Sequence, residues 1–189
     1  LITKAERHNN FSKRMSMMKL VSICKSTLCD VQDANQVMSV VDKYGIEIDV
    51  DFQDEIIERL PEVMQWCKDN IGVVDFDDMI WLPLVNKMTL DKFDFLMVDE
   101  AQDMNASQIQ FILGSIKDTG RIIAVGDRNQ SLYGFRGADT NAIQNIIDAL
   151  SAVVLPLSVT SKALYKLVSP SLPVALNLFI IDPIAVDAK

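Results

Sequence analysis

At 189 residues, 49% of them apolar and 23% charged, the chain is sized for one ordinary globular domain, or for one domain with a helical satellite. No stretch reaches the roughly 18 uninterrupted apolar residues that a membrane-spanning helix needs; the closest, Leu172 to Ile181, is interrupted by Pro173 and Asn177. Cys24, Cys29, Cys67 and the single His8 form no metal-ligand pattern, and a net charge of −8 excludes a uniformly basic nucleic-acid surface.

The charge is unevenly spread. Residues 1–30 carry six Lys/Arg against two Asp/Glu, residues 31–118 six against nineteen, and residues 119–189 six against five. The acidic excess lies in the middle, so a local basic or aromatic track for DNA remains compatible with the sequence. An odd cysteine count without a secretory signal points to a reducing, intracellular setting.

Residues 1–74 read as a mostly helical subdomain. Phe11, Met15, Met18, Val21 and Ile23 recur near helical spacing. Lys13, Arg14, Lys19 and Lys25 lie between them, as a solvated face or as contacts to phosphate. The nine methionines, Met15, Met17 and Met18 among them, are expected to fill core space. Tyr44 to Asp51 alternates apolar and acidic residues, yet Gly45 makes a loop equally plausible. Asp54 is a candidate cap for a helix through Ile56, Leu60 and Met64, which Pro61 would kink or divide. Asp75, followed three residues later by Asp78, looks like a helix start with acids in its first turn.

From residue 93 the texture becomes α/β. A strand at 94–98, a helix at about 105–117, a strand at 121–126, a helix at about 139–150 and a strand at 153–159 argue for a parallel sheet with crossover connections. Two of these strands end abruptly in polar residues, as a buried parallel strand does at its C-terminal edge. The first reads Phe93-Asp94-Phe95-Leu96-Met97-Val98-Asp99-Glu100-Ala101-Gln102-Asp103. The second runs from Ile122 through Val125-Gly126-Asp127-Arg128-Asn129-Gln130-Ser131-Leu132-Tyr133-Gly134-Phe135-Arg136-Gly137-Ala138. An isolated Asp-Glu pair is also what a solvated acidic turn shows, and a lone aromatic pair is usually core.

Together, however, the two segments resemble the Walker B segment (motif II) and motif III of UvrD/Rep-type superfamily 1 DNA helicases. The run Asp75-Phe76-Asp77-Asp78 also resembles a segment preceding Walker B in that family. The resemblance covers about residues 71–159, and the N-terminal helices fit the family's inserted helical subdomain loosely. It implies a partial RecA-like P-loop NTPase sheet over 75–160, ATP and Mg²⁺ as cofactors, and single-stranded DNA as partner. By its motif positions Asp99 would face the metal, mostly through water, because Mg²⁺ keeps much of its hydration. Glu100 would orient or deprotonate the attacking water, and Gln130 would sense the γ-phosphate. Gln102, Asp103 and Asp127 would couple nucleotide state to neighbouring segments. Phe135 would stack on a base, with Tyr133 and Arg136 beside it on the DNA.

The resemblance also marks what is missing. The chain has no Gly-x-x-x-x-Gly-Lys-[Ser/Thr] loop. Where the family has Tyr-Arg after the last strand, Ser161-Lys162 stand, and lysine lacks the planar fork of arginine. Residues 161–189 carry Pro170, Pro173 and Pro183 and no regular period. Such a loss in mid-motif is what a frameshift or foreign terminal exon would produce, and no RecA-like element is expected from about residue 163 onward. The expectation is therefore a fragment of an ATP-dependent 3′–5′ helicase, inactive without a Walker A segment and a second motor domain. It would act in the cytoplasm or at the nucleoid, or as a viral protein inside a host cell. The alternatives are a non-catalytic interaction or DNA-binding module, and a metal-dependent nuclease built on Asp99, Glu100 and Asp103.

Overall fold

The computed structural model describes residues 4–126, 142–150, 152–156 and 178–182. The chain divides into two compact units, with the boundary between Thr89 and Leu90.

The first unit is helical. Helices α1 (Lys4–Thr27), α2 (Ala34–Lys43), α3 (Val50–Asp69) and α4 (Asp78–Val85) bury one core of Leu20, Val21, Ile23, Cys24, Val37, Ile56, Leu60, Met64, Trp81 and Leu82. The buried stripe of α1 is carried by Leu20, Val21, Ile23 and Cys24. Phe11, Met15 and Met18 lie exposed on the rest of the helix, so the expected stripe holds only in its second half. The methionine expectation is corrected with it: Met64 and Met104 are buried, whereas Met15, Met18, Met79, Met88 and Met97 are exposed.

Helix α3 starts earlier than Asp54. Asp49 is its cap, its carboxylate accepting the Asp51 N–H at 3.1 Å. The helix continues through Pro61 undivided, because the buried residues Ile56, Leu60 and Met64 on either side supply tertiary packing that outweighs one lost hydrogen bond. Tyr44 to Asp49 is a loop, with Gly45 at φ +55°.

Asp75 and Asp78 do form a helix start. The Asp78 N–H donates to Asp75 Oδ1 at 2.7 Å, and the Asp75 N–H donates to Asp78 Oδ2 at 3.1 Å. This reciprocal exchange satisfies two of the donors a helix N-terminus leaves open. Since α4 contributes Trp81 and Leu82 to the first core, the helical unit extends to Thr89 rather than ending at residue 74.

The second unit is α/β. Strands β1 (Phe93–Val98), β2 (Ile116–Val125), β3 (Val153–Pro156) and β4 (Leu178–Asp182) form one sheet in the order β1-β2-β4-β3, with every described pairing parallel. Helix α5 (Ala106–Ser115) is opened by a capping box between Asn105 and Gln108, and α6 (Ala142–Leu150) precedes β3. The β1–β2 register shifts between Phe93↔Ile116 and Phe95↔Arg121 and is regular from there to Val98↔Ala124.

Alternation along the strands places Leu96, Val98, Ile122 and Ala124 in a second core with Ile109, Ile143 and Ile146. Phe93, Phe95 and Met97 alternate to the other side and are exposed. The expectation of a strand buried on both faces is thus met by β1 on one face only. Within the tail, the structure describes one element. Leu178–Asp182 is a strand of this sheet, because its backbone pairs with β2 on one side and β3 on the other.

Candidate nucleotide-hydrolysis site

The parallel pairing Val98↔Ala124 sets the C-terminal edges of β1 and β2 side by side. Asp99 and Glu100 follow β1 at that edge, both exposed. Asp99 Oδ1 accepts the Glu100 N–H at 3.0 Å, which turns the chain sharply out of the strand. Glu100 then adopts φ +52° and ψ +43°, the left-handed region that costs a residue with a Cβ roughly 1–2 kcal/mol. A non-glycine held there beside a candidate reaction centre is the kind of local strain that accompanies function.

The chain next enters a 3₁₀ turn, Ala101–Asp103, which packs against α6. Ala101 and Gln102 are buried, and Gln102 Nε2 donates to Glu100 Oε2 at 2.6 Å. Asp103 Oδ1 is buried with no hydrogen-bond partner among the described residues.

Gly126, the first residue after β2, closes the site from the other strand. A Cβ placed on it would lie 2.7 Å from Gln102 Oε1, 3.0 Å from Gln102 N and 3.1 Å from Ala101 N. Two of those three atoms are backbone and have little room to yield. Glycine at 126 is required by close approach of the two motif segments rather than by an unusual φ. The sequence shows Gly126 closing an apolar strand, but only the fold shows that it meets Ala101 and Gln102.

The structure therefore brings Asp99, Glu100, Gln102 and Asp103 to one sheet edge. Asp127, Gln130, Tyr133, Phe135 and Arg136 lie outside the described residues. Asp99 presents an exposed carboxylate at a strand end, a donor that suits a cation keeping most of its water and taking one or two carboxylates. Among the described residues no group of three or more His, Cys, Asp or Glu is close enough to hold a metal, so the three-carboxylate nuclease arrangement is not assembled. Two basic residues considered for phosphate contact are otherwise engaged: Lys13 pairs with Glu55, and Lys25 is buried between Asp75 and Asp78. Among the described residues no helix is long and apolar enough to cross a membrane.

Residues 2–150 match the model of the UvrD/REP helicase N-terminal domain. The chain belongs to the UvrD/REP helicase family. It is 31% identical over 116 residues to DNA helicase II of Escherichia coli, covering 57% of the chain and 15% of that protein. Against the ATP-dependent DNA helicase Rep of the same organism it is 40% identical over 75 residues, covering 35% of the chain and 11% of that protein. The ATP-dependent DNA helicase PcrA of Leuconostoc citreum is 30% identical over 141 residues, with 59% of the chain and 19% of that protein covered. The chain thus spans less than a fifth of the length of each of these relatives. No solved structure matches it.

Proposed function

We propose that this chain is part of the motor of an ATP-dependent 3′–5′ DNA helicase that couples ATP hydrolysis to movement along single-stranded DNA inside the cell. Its second unit is, on this reading, part of a RecA-like P-loop NTPase domain. The observation that carries the reading is the Asp99-Glu100 pair at the C-terminal edge of a parallel strand, packed against the end of the motif III strand, within a family match over residues 2–150. Ligands of open α/β sheets bind at that edge.

Phosphoryl transfer requires positioning and charge stabilisation more than covalent chemistry from the protein. Asp99 would hold Mg²⁺, which when bound neutralises charge on the phosphate oxygens. Glu100 would take a proton from the attacking water and hold that water in line. Gln130 would contact the γ-phosphate, and Asp127 with Gln102 and Asp103 would pass its presence to neighbouring segments. Phe135 would stack on an unpaired base, flanked by Tyr133 and Arg136, so that one segment touches nucleotide and DNA. The cradle for the ATP phosphates and the arginine reaching them from a second motor domain would come from outside these residues.

The chain alone should therefore show no DNA-stimulated ATPase. Turnover should appear when a Walker A segment and a second motor domain from a relative are joined to it. In that restored motor, Glu100→Gln should lower kcat by about 10²–10⁴-fold while nucleotide binding persists. Near-normal turnover in that variant would remove Glu100 from the role of base.

A further inference from the structure

A general base on an exposed turn must be held still to be effective, because misplacement of about 1 Å can cost roughly 10²-fold in rate. Glu100 is exposed and its backbone is strained, so a neighbouring group must fix its carboxylate. The neighbour that meets this need is Gln102. Its side chain is buried, its Nε2 donates to Glu100 Oε2 at 2.6 Å, and its Oε1 and backbone N lie against Gly126. The bond runs to a carboxylate, which makes it stronger than one between neutral groups.

We propose that Gln102 is the positioning residue for Glu100, and that the bare Cα of Gly126 at the end of β2 defines where Gln102 lies. The placement of the base then depends on the motif III strand through the Gln102 side chain, beside the approach of Gly126 to the backbone of Ala101 and Gln102. A displacement of β2 at Gly126 reaches the Glu100 carboxylate without any contact between Gly126 and Glu100. This rests on the assignment of Glu100 as base, and goes beyond it by naming what orients the base and from which strand.

Two measurements test it. In the chain itself, ¹⁵N NMR of the Gln102 side-chain amide should show one Nε2 proton shifted downfield of an ordinary glutamine pair. Glu100→Ala, a substitution at an exposed position that leaves the core intact, should abolish that shift, and Gly126→Ala should move it. A Gln102 amide unaffected by Glu100→Ala overturns the proposal.

In the restored motor, Gln102→Leu should lower kcat by roughly 10- to 100-fold with the KM for ATP changed less than about twofold. In a Glu100→Gln background the same substitution should have almost no further effect, because it acts only through the carboxylate. A merely structural role gives additive losses in that cycle, and additivity overturns the positioning role while leaving Glu100 as base. Near-normal turnover of Glu100→Gln alone overturns both assignments.

Discussion

Lys25 is 1% exposed, which is rare for a lysine and has a specific cause. Its Nζ lies 2.8 Å from Asp75 Oδ2 and 2.8 Å from Asp78 Oδ1, with the Trp81 ring centroid 5.7 Å away. Asp78 is almost fully buried, whereas Asp75 is half exposed and contributes less. Removing the ammonium leaves the Asp78 carboxylate buried without its cation. Lys25→Met should therefore destabilise the first unit by about 3–5 kcal/mol at neutral pH, and adding Asp78→Leu should recover much of the loss. Chemical-denaturation midpoints followed by Trp fluorescence would decide it, and a loss under about 1 kcal/mol would sink the argument. The pair also sets a pH dependence. Burial works to raise the Asp75 carboxyl, but the Lys25 ammonium and the Asp78 N–H outweigh it, holding it below its ordinary 3.8. Burial likewise pulls Lys25 down, but its bonds to Asp75 and Asp78 raise it above its ordinary 10.5. The Asp75 contribution is present above pH 3.8 and is lost as pH falls through the depressed folded value. The Lys25 contribution is present below pH 10.5 and is lost as pH rises through the raised one.

Among the elements, three helix ends share one device. After α1, α2 and α4 the chain bonds back across five residues: Cys29 N–H to Cys24 O, Ile46 N–H to Val41 O, and Met88 N–H to Pro83 O. The residues that turn left-handed to permit this are Leu28, Gly45 and Lys87, at φ +55°, +55° and +50°. Each is a Schellman stop, in which glycine is the residue expected. Only the stop at Gly45 carries that signal in its sequence. Lys87 is exposed and has no packing role to lose, so Lys87→Gly relieves the left-handed strain directly. Relief of about 1–2 kcal/mol, offset by the greater freedom of glycine in the unfolded chain, leaves a net gain of roughly 0.5–1 kcal/mol. An unchanged or lowered denaturation midpoint would contradict it. Asp75/Asp78 was legible in the sequence because capping chemistry is local. The stops at Leu28 and Lys87 were not, because neither carries the glycine that marks such a stop; nor were the passage of α3 through Pro61 and the exposure of Met15 and Met18, because tertiary packing decides them. At the site, the Asp99-Glu100 edge followed from an apolar run ending in acids. The Gln102–Gly126 approach did not, because it joins two segments distant in sequence.

At the scale of the whole molecule the sheet order carries the last consequence. Strand β3 follows β2 through α6 but does not pair with it; β4, from residues 178–182, lies between them. Ile180 is the central residue of that strand, with Ala124 of β2 on one side and Val154 of β3 on the other. The family match ends at residue 150, so a segment beyond it completes the sheet on which the candidate site stands. This strand was not legible in the sequence: a short apolar run among prolines has no period from which to read it, and a parallel partner on each side makes it one. Proline at a central strand position removes a ladder donor, which is why it is confined to edge strands and bulges. Ile180→Pro should therefore strip hydrogen-exchange protection from Ile122 to Val125 and from Val153 to Leu155. Protection in α1 and α3 should persist, because their core of Leu20, Cys24, Ile56 and Leu60 belongs to the other unit. Loss of protection in both units together would show that the chain unfolds as one cooperative block. Unchanged protection in Ile122 to Val125 would show that residues 178–182 do not hold the centre of the sheet.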